Sequence, residues 1–163
     1  MSGPDAADHR VPRAAPTSLA EQEERLRLAL AAANQGLYDL DVLAGVATVS
    51  PEYAIMLGYD PDGFQETRAA WCKRLHPDDV GPVARAWQEY LLGRRKEHRL
   101  EFRQRTQDGS WKWILSLGKV VARTPDGRPA RLLGTHTDIT ERRQAEESLR
   151  GTTARLSHLL SAG

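Results

Sequence analysis

Gly134-Thr135-His136-Thr137-Asp138-Ile139-Thr140-Glu141-Arg142-Arg143 carries an alternating strand into a charged helix with no loop residue between them. Side chains two apart on a strand share a face, so Gly134, His136 and Asp138 look one way and Thr135 and Thr137 the other. At the junction, Asp138 and Thr140 offer short side-chain oxygens to the free N–H groups of the helix's first turn. A displacement of the strand is therefore passed to the helix.

Upstream of this junction, alternation marks strands at 100–106, 111–123 and 131–137. Asp108-Gly109 joins the first two and Thr124-Pro125-Asp126-Gly127 the second two, both strong hairpin signals. Leu37-Tyr38-Asp39-Leu40-Asp41-Val42 and Val46-Ala47-Thr48-Val49 form an earlier hairpin around Ala44-Gly45. Helices fill the space between. Ser50-Pro51-Glu52 reads as a helix start with Ser50 as cap, and the helix stops at Gly58. A short helix around Trp71 leads into His76-Pro77-Asp78-Asp79, where Asp78 and Asp79 are expected to cap a long helix and His76 to orient the turn. Pro82 requires that helix to begin near Asp78 or Asp79, and Gly93 closes it.

Two further helices flank this set. From Ser18, a capping residue, early acidic residues and strong helix formers predict a helix over 18–34 that ends at Gly36. Leu26, Leu30 and Ala33 share a face, while Leu19 and Leu28 leave apolar surface elsewhere. The last helix, from about residue 141, sets Ala145, Leu149, Thr152, Leu156 and Leu159 along a coiled-coil seam weakened by Gly151. Arg155-Leu156 to Leu160 echoes Arg25-Leu26 to Leu30. That echo reads either as the start of a repeated unit or as the chance likeness of two leucine-rich helices.

Composition narrows the function classes. With 23 basic and 22 acidic side chains in 163 residues, the net charge of +1 gives no reason to expect nucleic acid or a membrane surface as partner. Cys72 is the single cysteine, which excludes an intramolecular disulfide and fits a reducing compartment, hence a cytoplasmic location. Residues 1–17, rich in proline and small side chains, read as a flexible tail without the apolar core of a signal peptide. No run has the apolar length to cross a bilayer.

Three motifs in order, His76-Pro77-Asp78-Asp79, Asp108-Gly109-Ser110-Trp111-Lys112-Trp113 and the strand-to-helix junction, resemble the PAS family of sensory domains with its C-terminal PAC-type motif. The resemblance covers roughly residues 24–150. It implies an α+β PAS fold, with a five-stranded antiparallel sheet, helices on one face and amphipathic helices at both ends. The corresponding parse is a tail at 1–17, a flanking helix at 18–34, the PAS domain at 35–140, and a signalling helix at 141–163 in which a second PAS domain would begin. It also implies a sensory and dimerisation module of a bacterial two-component or related signalling protein. A histidine kinase or diguanylate cyclase would then follow as effector, with Asp138, Ile139 and Thr140 as the relay.

Strand alternation turns the resemblance into candidate residues. Leu100, Phe102 and Gln104 face the helices, while Arg99, Glu101, Arg103 and Arg105 face water. The positions that Ile114, Ser116 and His136 resemble look into the family's pocket, so Tyr38, Phe102, Gln104, Ile114, Ser116 and His136 form the expected ligand site. These polar groups also fit a filled core in which they bond one another or water. Trp111, Trp113 and Leu115 on the opposite face, with Leu19 and Leu28, form the expected homodimer interface, or one tryptophan completes the monomer's core.

The cofactor is left unknown. Cys72 sits in Ala-Trp-Cys-Lys-Arg-Leu rather than in the Asn-Cys-Arg-Phe-Leu-Gln type of motif that a covalent flavin sensor needs, and 80–96 lacks a histidine to ligate haem. A ligand-free interaction domain is the main alternative. A metal-dependent hydrolase built on His76, Asp78, Asp79, His136 and Asp138 is supported by residue type alone.

Overall fold

The computed structural model describes residue 15 and residues 18–162, so the tail expected over 1–17 lies outside the described residues apart from Ala15. The chain opens with α1 (Leu19–Ala32), followed by the hairpin of β1 (Gln35–Asp41) and β2 (Val46–Val49). Next come α2 (Pro51–Met56), the two-residue β3 (Glu66–Thr67), α3 (Arg68–Arg74) and α4 (Pro77–Leu91). The long strands β4 (His98–Arg105), β5 (Trp111–Arg123) and β6 (Pro129–Asp138) precede α5 (Thr140–Ser161).

The sheet has six strands rather than the five expected, in the order β3-β2-β1-β6-β5-β4. The added strand is β3, whose Thr67 and Glu66 pair with Val46 and Ala47 at the sheet edge. Two residues are too few to show a period of two, which is why the sequence reads there as a loop. The two three-stranded halves of the sheet meet at the β1–β6 pairing, where Tyr38 stands opposite Gly134.

Local chemistry explains the helix ends, with four differences from expectation. Ser18 closes a capping box, its hydroxyl accepting from Glu21 N at 3.2 Å while the Glu21 carboxylate accepts from Ser18 N at 3.0 Å. Ser50 precedes α2, but its hydroxyl accepts from Leu37 N on β1 at 2.9 Å and so ties the helix start to the sheet. At α4 the cap is His76, whose Nδ1 accepts from Asp78 N at 3.1 Å. Asp79 instead reaches across to β4, where it accepts from Arg103 N at 2.7 Å and from both forks of that guanidinium. Pro82 lies inside α4 rather than in its first turn. Gly36 belongs to β1, and the turn after α1 is made by Asn34 at φ 53°.

Gly36 is needed for another reason: a Cβ there would stand 2.7 Å from the Tyr53 Cα. Close approach of α2 to β1 seats Tyr53 in one apolar cluster with Tyr38 and Leu132. A second cluster gathers Leu57, Leu75, Val83, Phe102 and Ile114. Both lie on the sheet face that α2, α3 and α4 cover.

Candidate functional site

A cavity of about 170 Å³ lies between that sheet face and helices α3 and α4. Its floor comprises Tyr38, Leu40, Leu132, His136, Ser116, His98 and Leu100 from the strands, and Trp71, Leu75, Val83 and Trp87 close it from above. Arg68 and Cys72 of α3 and Val80 and Ala84 of α4, all exposed, form the outer rim.

Tyr38 sets the shape of the floor. Gly118 and Gly134 face each other across β5 and β6, and a Cβ on either would collide with the Tyr38 hydroxyl. The paired glycines therefore form a slot in which the phenol lies flat, its oxygen 3.4 Å from Ser116 Oγ. Burial raises the Tyr38 pKa to about 12, so the group stays a neutral hydroxyl.

Of the six residues expected to bind a ligand, Tyr38, Ser116 and His136 line this cavity. Phe102 and Ile114 pack instead in the neighbouring apolar cluster. Gln104 is occupied elsewhere: its carbonyl oxygen accepts from Arg74 Nε at 3.2 Å and its amide donates to the Trp71 carbonyl at 3.3 Å. Arg74 also pairs with the buried Glu66 carboxylate, which accepts from the Tyr53 hydroxyl at 2.7 Å. One polar chain thus links β3, α2, α3 and β4 beside the cavity. Such a pair gains little over apolar packing, yet losing either partner would strand a buried charge.

Two histidines stand at the cavity floor. His136 is held between aromatic rings, stacked on Tyr53 at 4.8 Å and edge-on to Tyr38 at 5.0 Å. Burial, reinforced by the charges of His98 and Arg74, lowers its pKa to about 3. His98 lies 5.1 Å from the Trp87 ring, and burial lowers its pKa to about 4. Both are neutral at physiological pH. His98 Nδ1 is, among the described residues, the buried side-chain polar atom without a hydrogen-bond partner. The alternation read from Leu100 reaches His98 if extended one step back, whereas Tyr53, Glu66 and Arg74 carry no local signal.

The relay residues form a connected joint. Asp138 Oδ1 accepts from Thr140 N at 3.0 Å and from the Thr140 hydroxyl at 2.5 Å, and Oδ2 meets Lys112 Nζ at 3.1 Å. Burial opposes the ionised form of Asp138, but these donors hold its carboxyl below the usual carboxylate range. Thr140 Oγ1 accepts from Trp113 N at 3.1 Å, and Ile139 N donates to the Trp113 carbonyl at 2.9 Å. The buried Ile139 pins the start of α5 to β5.

On the opposite sheet face, Trp113 is sandwiched between guanidinium groups, Arg143 at 3.9 Å and Arg103 at 4.9 Å from the ring centroid. Trp111 is 40% exposed and rests against His76 at 4.7 Å, while Leu115 is half-buried. Leu19 and Leu28 on α1 are exposed. Cys72 is exposed on α3, and α4 carries no histidine. His76 and Asp78 at the α4 cap, His136 in the core and Asp138 at the joint are scattered. Among the described residues no group of three or more His, Cys, Asp or Glu is placed to hold a metal. No helix among them is long and apolar enough to cross a membrane.

An antiparallel sheet, helices closing a small cavity on one face, and a last strand running into an exposed helix define a cavity-bearing α+β module. The sequence matches the family described as PAS fold over residues 46–136, more than half of the chain, and the protein belongs to that family. The solved structure of a sensory box histidine kinase/response regulator from Burkholderia thailandensis superposes with a TM-score of 0.73 at 30% identity, over 82% of this chain and 98% of that one. The blue-light-activated histidine kinase of Brucella anthropi is 26% identical over 135 residues, 83% of this chain and 26% of that protein. The N-terminal domain of a diguanylate cyclase with PAS/PAC sensor from Marinobacter aquaeolei shares the fold, with a TM-score of 0.57 at 21% identity over 67% of this chain and 98% of that one. The chain spans between 10% and 26% of the length of the curated relatives it matches.

Proposed function

We propose that this chain is the sensory and dimerisation module of a cytoplasmic signal-transduction protein. A small molecule in the cavity shifts the sheet, and Asp138-Ile139-Thr140 passes the shift along α5 to an effector of the histidine kinase or diguanylate cyclase type. The observation that carries this reading is that one strand does both jobs: Leu132 and His136 of β6 line the cavity, and Asp138, two residues on, anchors α5. A ligand biases such a joint only through different affinities for its two arrangements. The kinase and cyclase names of the matched relatives support the choice of effector.

Native mass spectrometry of the purified chain, with an absorbance spectrum of the same sample, tests the proposal. An added mass that disappears when the cavity is filled by Val83→Trp is the expected result. A clean dimer with neither added mass nor chromophore, and no binding of small molecules, would replace it with the second reading, a ligand-free interaction domain. The exposed leucines of α1 and α5 favour that alternative.

A further inference from the structure

Three stretches that stand apart in the sequence, at 76–79, 108–113 and 138–140, meet at one cross-strand pair. Arg103 of β4 and Trp113 of β5 are directly opposed. Arg103 turns both backbone groups away from β5 to the start of α4: its N–H donates to Asp79 at 2.7 Å and its carbonyl accepts from His76 N at 3.1 Å. Trp113 turns both of its own to the start of α5, the N–H donating to Thr140 Oγ1 at 3.1 Å and the carbonyl accepting from Ile139 N at 2.9 Å. The pair therefore has no hydrogen bond across it, the arrangement that brings opposed side chains closest.

Side chains complete the link between the two helix starts. Asp79 grips the Arg103 guanidinium at Nε and Nη2, at 3.0 and 2.9 Å, and this two-point grip fixes its plane. The guanidinium then lies over the Trp113 ring at 4.9 Å, and Arg143, in the first turn of α5, lies over the same ring at 3.9 Å. Two cations can share one ring because each has a carboxylate at hand, Asp79 for Arg103 and Glu101, at 3.9 Å, for Arg143. The Asp79, Arg103 and Arg143 side chains are 14%, 25% and 28% exposed, so solvent screens this stack less than an open surface pair.

We infer that Asp79, Arg103, Trp113 and Arg143 link α4, the lid of the cavity, to α5, and so give the domain a second route to its output helix besides β6. Val80, Val83, Ala84 and Trp87 of α4 line the cavity, and Asp79 directly precedes Val80. A displacement of α4 over the cavity therefore reaches Arg103, then the tryptophan ring, then the first turn of α5. Both routes converge on Trp113, whose backbone belongs to the β6 joint and whose ring belongs to the α4 link. None of the four side chains lines the cavity, so they are positioning residues. As a signalling route the link rests on the cavity reading of the proposed function, to which it adds α4 as a transmitter.

Amide hydrogen exchange at Gln144 and Ala145 of α5, in the full chain and without any ligand, tests the link in Asp79→Asn, Arg143→Gln, Trp113→Leu and their pairs. Asp79 bonds to Arg103 and not to α5, yet Asp79→Asn should quicken exchange at these two amides about threefold. In the Trp113→Leu background the same substitution should change nothing, because the ring that carries the effect is gone; a through-space effect of the lost charge would survive there. In the reverse direction, Arg143→Gln should quicken exchange of the Arg103 amide, since coupling between two sites is reciprocal. Circular dichroism checks that each variant is folded. If Trp113→Leu does not fold, the pair of Asp79→Asn with Arg143→Gln decides, and its effects should fall short of multiplying. An Asp79→Asn effect that is absent from α5, that persists unchanged in Trp113→Leu, or that multiplies fully with Arg143→Gln would overturn the link. Quickening in β1 and β2 as large as in α5 would overturn it too, as a loss of overall stability. Coupling found in a chain that native mass spectrometry shows to retain and bind no small molecule would support the link between α4 and α5 and remove the cavity reading alone.

Discussion

Gly134 opposes Gly118 on one side and Tyr38 on the other, and its missing side chain is what lets the phenol ring lie on the sheet. A Cβ at Gly134 would also run into the Leu117 carbonyl, which is backbone and cannot swing aside. Gly134→Ala should therefore destabilise the domain by about 2 kcal/mol, within the usual range for overpacking, read as a lower urea midpoint with an unchanged slope. His98 and His136 add a pH dependence of definite sign. Their folded pKa values of about 4 and about 3 lie below the ordinary 6.5, so the unfolded chain takes up protons first as the solution is acidified. Stability from this source is complete above about pH 6.5 and falls as pH drops toward about 4, by roughly 2 kcal/mol per histidine at about pH 4.5. Glu66, whose carboxyl is raised by burial, works in the opposite sense. Urea midpoints at pH 7, 5.5 and 4.5 check the slope, and His98→Phe should flatten it in part; a midpoint independent of pH across this interval would contradict the neutral-histidine picture.

At the scale of elements, the joint between β6 and α5 is the feature most open to test. Asp138→Ala removes the acceptor for Thr140 N, and Thr140→Val removes the acceptor for Trp113 N, each at about 1 kcal/mol, the size of a lost helix cap. Amide hydrogen exchange should then quicken in the first turn of α5 and at Trp113 while β1 and β2 stay protected; uniform exchange across the sheet would mean that the joint is not a separable unit. This joint was legible in the sequence, because Asp-Ile-Thr sits where alternation stops and helix formers begin. The strands β1, β2 and β4 to β6 were legible for the same reason, being long enough for a period of two to repeat. Glu66-Thr67 was not, since its strand character comes from pairing with Val46 and Ala47 and not from its own pattern. Three of the six candidate pocket residues stand outside the cavity lining for a reason at the same level: alternation puts Phe102, Gln104 and Ile114 on the helix-covered face. Only the positions of α3 and α4 over that face decide which residues border the cavity and which are filled against Leu75 or Arg74.

At the scale of the whole molecule, the unsatisfied surface is apolar and lies at the two ends. Leu26 and Leu28 of α1 and Leu149, Leu156, Leu159 and Leu160 of α5 are all more than half exposed, and none of the 22 residues of α5 is buried. A helix of that length runs about 33 Å, far beyond the short stretch where Arg143 and Ile139 hold it to β5. On the sheet face away from the cavity, Trp111, Leu117, Val121 and Leu133 extend the apolar surface. Apolar surface on this scale marks an interaction site, and a second copy of the chain would cover α1 and the tryptophan face together. Sedimentation equilibrium should therefore find a dimer for the native chain. The pair Leu28→Glu and Trp111→Lys should shift it to monomer by at least tenfold in dissociation constant, with the melting temperature extrapolated to low protein concentration unchanged, because both side chains are exposed in the folded chain. Trp113→Ala should behave differently: its ring is stacked between Arg103 and Arg143 of its own chain, so its loss should loosen α5 and lower stability even where the chain is monomeric. A native chain that stays monomeric up to millimolar concentration would assign the leucines to some other partner and leave the cavity as the function of the domain.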